Sequence, residues 1–419
     1  SMSQTVITVY EDRKKHVPLT HSQKTDILSF RTIIGGNHIH LDYDGTLQVM
    51  KYVGFISKGN TRLQILPKIY EKTSSNETDV QRESMRVMQN LLRVSEFNKI
   101  LQLPDQTSSA EQLDLMELFI GIFADKIISL YSRQMYREYI DIEENSTFVK
   151  GRIQFSENIR QNPVRMDRHV VNYQNYEQNN ALNNIIKTMV IRLLRLTQDS
   201  NIKNRLKKAL LFLDDASETL LSIELFDSVR FTRLNMQFKP VFEMAKMFFL
   251  NLSPESYAGD ETVFSFLVPL NELFEYYLYK VFSNLGNEFN AKYQNRHRFV
   301  FSPKGDDVYI KPDILLEKSN KLVLIADAKY KNPNYENGRY TKINQSDIYQ
   351  VFAYARAYGI NNVALVYPLF DDHQTPPQCF TLKDSNGDIA LTIACVDVKN
   401  PVISDHGKYL QKLLIPSDS

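Results

Sequence analysis

Two apolar runs bounded by carboxylates constrain this chain more than any other feature. Ile314-Leu315-Leu316 opens directly after Pro312-Asp313, and Leu322-Val323-Leu324-Ile325-Ala326 closes on Asp327-Ala328-Lys329. Short apolar runs separated by a polar turn are strand signals, and Lys318-Ser319-Asn320-Lys321 is such a turn. A hairpin folded on it brings Asp313 and Asp327 toward the same end of a sheet. Side chains alternate along a strand, so Asp327 and Lys329 point to one face. Two acids and a lysine can therefore converge.

That set matches the needs of phosphodiester hydrolysis. Hard oxygen ligands hold Mg²⁺, which keeps several of its waters and bridges to phosphate. The metal polarises the phosphoryl oxygen and lowers the pKa of a bound water. A lysine at the edge of the site can position or help deprotonate that water and offset charge building on phosphorus. The carbonyl of Ala328 is a further candidate ligand. Two helices add to the set. In the one expected over Leu270–Leu285, Glu272 and Glu275 lie one turn apart, away from the stripe Leu270, Phe274, Tyr277 and Val281. In the one expected over Asp347–Tyr358, Asp347, Gln350, Tyr354 and Tyr358 share a face, and Gln350 and Tyr354 project together at i,i+4. Their amide and phenol suit hydrogen bonds to the lysine or to DNA phosphates.

Patterning divides the chain into an α+β multidomain protein. Residues 1–79 read as a small β-rich module of short strands and turns, ending in a polar linker over Glu71–Asp79. Residues 80–262 carry helical periodicity, interrupted by a β excursion from Arg137 to Phe155. Residues 263–419 mix helices with apolar strands at Phe299–Ser302, Tyr309–Leu316, Leu322–Lys329 and Val363–Tyr367, which implies an α/β core on a mixed sheet.

Composition narrows the function classes. Lys and Arg total 50 against 49 acids, a net charge of +1. This excludes a uniformly basic protein and leaves room for a local basic groove. The loop cations Lys331, Arg339 and Lys342, in an Asn/Gly-containing stretch, suit phosphate tracking or an ordinary charged loop equally. No stretch approaches the roughly 18 to 20 apolar residues of a membrane span, and no secretory signal is visible. Two cysteines are too few for a disulfide framework or a zinc cluster. His38 and His40 share a strand face but have no third ligand nearby in sequence. A cytoplasmic protein is expected.

Pro312-Asp313, Asp327-x-Lys329 and Gln350-x-x-x-Tyr354 together resemble the PD-(D/E)xK nuclease superfamily in its RecB-like branch. Further strings resemble the McrC family, in that family's order. They are Val149-Lys150-Gly151-Arg152-Ile153-Gln154-Phe155, Asn180-Ala181-Leu182-Asn183-Asn184-Ile185-Ile186-Lys187, Asn271-Glu272-Leu273-Phe274-Glu275, Asp327-Ala328-Lys329-Tyr330, Asp347-Ile348-Tyr349-Gln350 and Leu365-Val366-Tyr367-Pro368. The resemblance implies a C-terminal PD-(D/E)xK core and a Mg²⁺-dependent endonuclease subunit of a modification-dependent restriction system, with Mn²⁺ as a substitute ion. It implies as partners double-stranded DNA and a McrB-like AAA+ GTPase hexamer that carries the reader of methylated cytosine. Asp313 and Asp327 would bind metal, with Glu275 favoured over Glu272 as an additional ligand. Lys329 would orient or activate water, supported by Gln350 and Tyr354. The arm over 80–262 would engage the GTPase ring through the β excursion, near Arg133, Arg137, Lys150 and Arg152. A stand-alone repair nuclease of the same superfamily, and a catalytically idle adaptor that activates a motor, remain the alternatives.

Overall fold

The structure is a computed structural model and describes residues 5–69, 76–103, 113–251, 263–300, 308–369, 376–400 and 402–414. They cluster into two compact units, one drawn from Met2–Leu115 and Val263–Ser419, the other from Met116–Thr262. The architecture is mixed α/β with several separate sheets.

In the first unit, Thr5–Tyr10 pairs in parallel with Thr61–Leu66, which pairs antiparallel with Tyr52–Lys58. The fourth strand of this sheet is Val263–Pro269, antiparallel to Tyr52–Lys58. Gly54 makes that pairing possible. Its φ is +133°, and a Cβ there would lie 1.8 Å from the Phe266 carbonyl oxygen, so no other residue fits. The sheet packs Ile7, Val9, Ile56 and Leu63 against Ile27 and Phe30. Ile27 belongs to a helix, His21–Ser29, absent from the expected β-rich module. Its apolar content is too small to show a stripe, and its signal is the capping box of Thr20 and Gln23. Asn76 caps helix Glu77–Val94, so Glu77–Asp79 form its first turn; residues 71–75 of the expected linker lie outside the described residues.

A six-stranded sheet runs Phe289–Tyr293, Ile314–Lys318, Lys321–Ala328, Asn362–Pro368, Ile389–Val396, Gln378–Leu382. The two pairings made by Asn362–Pro368 are parallel and the rest antiparallel, a mixed sheet as the apolar runs imply. Leu315, Ile325, Val363 and Leu365 pack against Val351 and Ala355 of helix Gln345–Tyr358. The strand expected over Tyr309–Leu316 is two strands. Val308–Ile310 pairs with His297–Val300 and Ile314–Lys318 joins the large sheet. The break falls at Pro312, which has no N–H to offer a ladder; the Asp313 carbonyl instead accepts from the Gln294 N–H at 2.8 Å. Ser302, the end of another expected strand, lies outside the described residues.

The second unit is built on helices Leu115–Tyr131, Ala181–Leu196, Ser200–Phe212 and Lys239–Asn251. Its three-stranded sheet is wider than the expected excursion. Glu138–Ser146 and Arg152–Ile153 both pair with His169–Glu177, which is the central strand. Gly151, at φ +72°, enters this sheet where a Cβ would lie 2.4 Å from the Asn172 carbonyl oxygen. Among the described residues, no helix is long and apolar enough to cross a membrane.

Candidate functional site

The hairpin of Ile314–Lys318 and Lys321–Ala328 turns at Ser319 and Asn320, whose φ values of 49° and 63° are both left-handed. This is the geometry of a type I′ turn, whose twist suits a hairpin; a serine in first place hid it from the sequence. Ile314 faces Ala326, and one further step of that register sets Asp313 opposite Asp327. The Asp313 Oδ2 accepts from the Ala328 N–H at 2.8 Å, which pins its carboxylate against the neighbouring strand.

Asp327 is 1% exposed. The Lys329 Nζ stands 2.5 Å from its Oδ2, a charged hydrogen bond that favours the carboxylate. Burial, then the charges of Asp327 and Glu275, push the Asp313 carboxyl up to about 9. Burial also raises Asp327, against the pull of Lys329. For Lys329, burial favours the neutral amine, but Asp327, Asp313 and Asp347 outweigh it and hold the ammonium charged above its ordinary range. The centre is a buried, acid-rich pair short of positive charge.

Helix Gln345–Tyr358 supplies the lysine's support. The Lys329 Nζ donates to Gln350 Oε1 at 2.9 Å, Gln350 Nε2 donates to the Tyr354 hydroxyl at 2.7 Å, and that hydroxyl reaches the Lys311 carbonyl at 3.4 Å. Asn344 caps this helix and sets Asp347 in its first turn, buried, 4.0 Å from the Lys329 Nζ and 3.3 Å from the Lys331 Nζ. Glu275, on helix Leu270–Ser283, is half-buried and accepts from Gln294 Nε2 at 2.8 Å. Burial raises its carboxyl; Gln294 and Lys329 oppose, while Asp327 and Glu272 add to the rise. Glu272 is exposed.

All six residues expected from sequence, Asp313, Asp327, Lys329, Gln350, Tyr354 and Glu275, thus fall around one strand end. Sequence reasoning missed four neighbours. Asp347 was placed on the right helix face but given no role. Gln294 sits at φ 47° just past a strand, a position no periodicity marks. The Tyr367 hydroxyl is buried without a hydrogen-bond partner among the described residues, in the field of Asp347 and Asp327. Tyr330, fully buried beside the lysine, donates to the Lys68 carbonyl at 3.3 Å, and the Lys68 ammonium is itself paired with Glu11 at 2.7 Å. The N-terminal sheet therefore braces the strand end that carries Lys329. Among the described residues, no group of three His, Cys, Asp or Glu side chains is gathered to hold a metal ion.

In the second unit, Asn183 closes the root of the three-stranded sheet. Its amide donates to the carbonyls of Tyr136 and Gln178 at 2.9 and 2.8 Å, and its oxygen accepts from the Tyr131 hydroxyl at 2.7 Å. Beyond this root the segments joining the strands, with the short helix Phe155–Gln161, expose apolar side chains: Phe148 at 79%, Phe155 at 72% and Met166 at 95%, with Ile159 and Val164 equally open. Arg133, Arg137 and Arg152 are exposed, while Lys150 lies 4.2 Å over the Tyr173 ring.

A family model described as McrBC 5-methylcytosine restriction system component matches residues 47–368. A chain from the refined half-complex of a tetradecameric assembly of Thermococcus gammatolerans McrB AAA+ hexamers with bound McrC is similar in fold. The TM-score is 0.76 at 21% identity, over 97% of this chain and 99% of that one. A chain of the Thermococcus gammatolerans McrBC complex, solved by cryo-EM, matches with a TM-score of 0.50 at 24% identity, over 67% of this chain and 88% of that one. No curated protein matches the sequence.

Proposed function

Because the chain belongs to the family of McrBC 5-methylcytosine restriction system components, we propose that it is the McrC-like nuclease subunit of such a system, a metal-dependent endodeoxyribonuclease on the PD-(D/E)xK plan. The observation that carries this reading is the Asp313–Asp327 pair. Two carboxyls stand opposite each other at one end of the sheet, both raised by burial, and the second, 1% exposed, has the Lys329 ammonium against it. One ammonium does not offset the burial of this acid cluster, and a divalent cation would.

The donor set fits Mg²⁺. Asp313, Asp327 and the Ala328 carbonyl are hard oxygen ligands, and Mg²⁺ completes its shell with water and substrate, so a third protein acid is not required. Glu275 is the additional ligand if one is used. Bound there, the ion, with Mn²⁺ as a substitute, supplies charge at the phosphoryl oxygen and a more acidic water. Lys329 remains an ammonium under the field of its three acids. It therefore orients the attacking water and offsets charge on phosphorus as the water oxygen bonds to it and a P–O bond breaks. Gln350 and Tyr354 act through Lys329, fixing its amine at the strand end.

The proposed partner is an AAA+ GTPase hexamer, on the likeness to a solved chain from an assembly of McrB hexamers with bound McrC. The arm proposed over 80–262 would meet it with the apolar end of the three-stranded sheet. Exposed Phe148, Phe155 and Met166 gain nothing from water and are the kind of anchors that carry an interface.

The test is cleavage of methylated and unmethylated plasmid with Mg²⁺, by the chain alone and with its AAA+ partner and GTP. Cutting only with partner and GTP is expected. Cutting by the chain alone moves the reading to a stand-alone nuclease. GTPase stimulation without any cutting moves it to an idle adaptor.

A further inference from the structure

Six residues after Lys329 the chain builds a small hairpin that packs Tyr335 and Tyr340 onto the core of the large sheet. Tyr335–Glu336 pairs with Arg339–Tyr340 across Asn337-Gly338, at φ 52° and 79°, the two left-handed residues of a type I′ turn. An isolated two-stranded ribbon is marginal in water, yet this one is held at its base from several sides. The Thr341 N–H donates to the Asn334 carbonyl at 2.8 Å and the Lys342 N–H to the Pro333 carbonyl at 2.9 Å. Tyr340 is buried, donates to the Pro376 carbonyl at 3.0 Å and stacks edge-on with Tyr335 at 5.1 Å. The Lys331 N–H turns back onto the Lys329 carbonyl at 2.8 Å, a tight turn between the proposed catalytic lysine and the segment that leads to the hairpin.

What this fixed base presents is charge. Arg339 and Lys342 are exposed and form no ion pair among the described residues. Lys331 is shared with Asp347, and the hairpin's one acid, Glu336, accepts from the Asn334 amide at 2.6 Å. The segment before it reaches the acids through Lys331 and Asp347, and Asp313, Asp327, Glu275 and Asp347 together would repel a polyanion. A duplex approaching those acids needs positive charge nearby, on a support stiff enough to set register.

We propose that the hairpin Tyr335–Tyr340 is a clamp for the backbone of double-stranded DNA, with Arg339 and Lys342 each holding a phosphate on one side of the scissile bond. This rests on the nuclease reading above and adds the side from which the duplex is held. The experiment measures binding of full-length protein to a duplex of about 30 base pairs by fluorescence anisotropy, across a salt series, with Ca²⁺ replacing Mg²⁺ to prevent cutting. Parent, Arg339→Gln/Lys342→Gln and the control Lys207→Gln/Lys208→Gln are compared. Each lost phosphate contact lowers the slope of log affinity against log salt by about 0.9. The hairpin variant should therefore lose about 1.8 in slope and at least about 10-fold in affinity, while the control loses neither. Stimulation of the partner GTPase should stay at the parent level. A parent-like slope, or an equal loss in the control, overturns the clamp and leaves the nuclease reading standing. Loss of GTPase stimulation also overturns it, since the hairpin would then be docking protein. A parent that binds no duplex overturns the clamp, and the nuclease reading then stands or falls on the cleavage assay with partner and GTP.

Discussion

The carboxylate hairpin and the three-stranded sheet of the second unit break opposite rules of burial. At Asp327 the chain buries an acid beside the half-buried Asp313 and sets one ammonium, Lys329, against it. Around Phe148, Phe155 and Met166 it leaves large apolar side chains in water, while every polar group of Asn183 at the sheet's root is satisfied. A folded protein avoids both situations unless something else completes them. The kind of violation says what would complete it: a buried acid cluster with one ammonium calls for a cation, an exposed apolar end for another protein's surface.

The sharpest way to break this contrast is Asp327→Ala. Plasmid cleavage should fall by at least about 10³-fold, while the circular dichroism spectrum is kept, because burial already works against the charge that is removed. Retained cutting would take the site away from this hairpin.

Asp313→Asn addresses the same violation through stability. The Asp313 carboxyl is raised to about 9 in the fold from an ordinary value of 3.8, so its contribution is full below about pH 4 and is lost as pH rises toward 9. Asparagine keeps the acceptor for the Ala328 N–H and cannot ionise. In EDTA the variant should match the parent near pH 4 and exceed it at pH 7–8 by on the order of a few kcal/mol, at about 1.4 kcal/mol per pH unit. Equal melting curves at pH 8 would mean the acid is not strained.

On the other side of the comparison, Phe148→Asp with Phe155→Asp should leave the melting temperature unchanged, since both rings are exposed. It should weaken GTPase stimulation by about 30-fold or more, as loss of interface anchors does. A lower melting temperature with full stimulation would make the patch internal structure. The smallest effect belongs to Tyr330→Phe, which removes the hydroxyl's bond to the Lys68 carbonyl. A loss of about 1 kcal/mol in denaturant unfolding is expected, with slower cutting and unchanged GTPase stimulation. A parent-like cutting rate would show that the N-terminal sheet does not steady Lys329.

Much of the proposed site was legible before any coordinates. Asp313, Asp327 and Lys329 follow from two apolar runs and one turn, and Gln350 and Tyr354 from an i,i+4 spacing, because all of these depend on neighbours in sequence. The Pro312 break inside an expected strand was legible in principle, since proline cannot donate to a ladder, but the flanking apolar residues masked it. Helix His21–Ser29 carried only a capping box, and Ser319-Asn320 lacked the usual turn residues, so local chemistry there was present but quiet.

Sequence by itself determined the elements and the faces they present, because strand and helix periods are properties of short stretches of backbone. It also determined family membership through strings spread over the chain. Tertiary structure alone decided which distant elements meet. Val263–Pro269 joins Tyr52–Lys58 in one sheet, His169–Glu177 becomes the centre of another, Gln294 reaches Glu275, and Tyr330 finds Lys68. Such pairings are selected by the summed burial of whole surfaces and by close approaches like that at Gly54, and no local pattern along the chain encodes that sum.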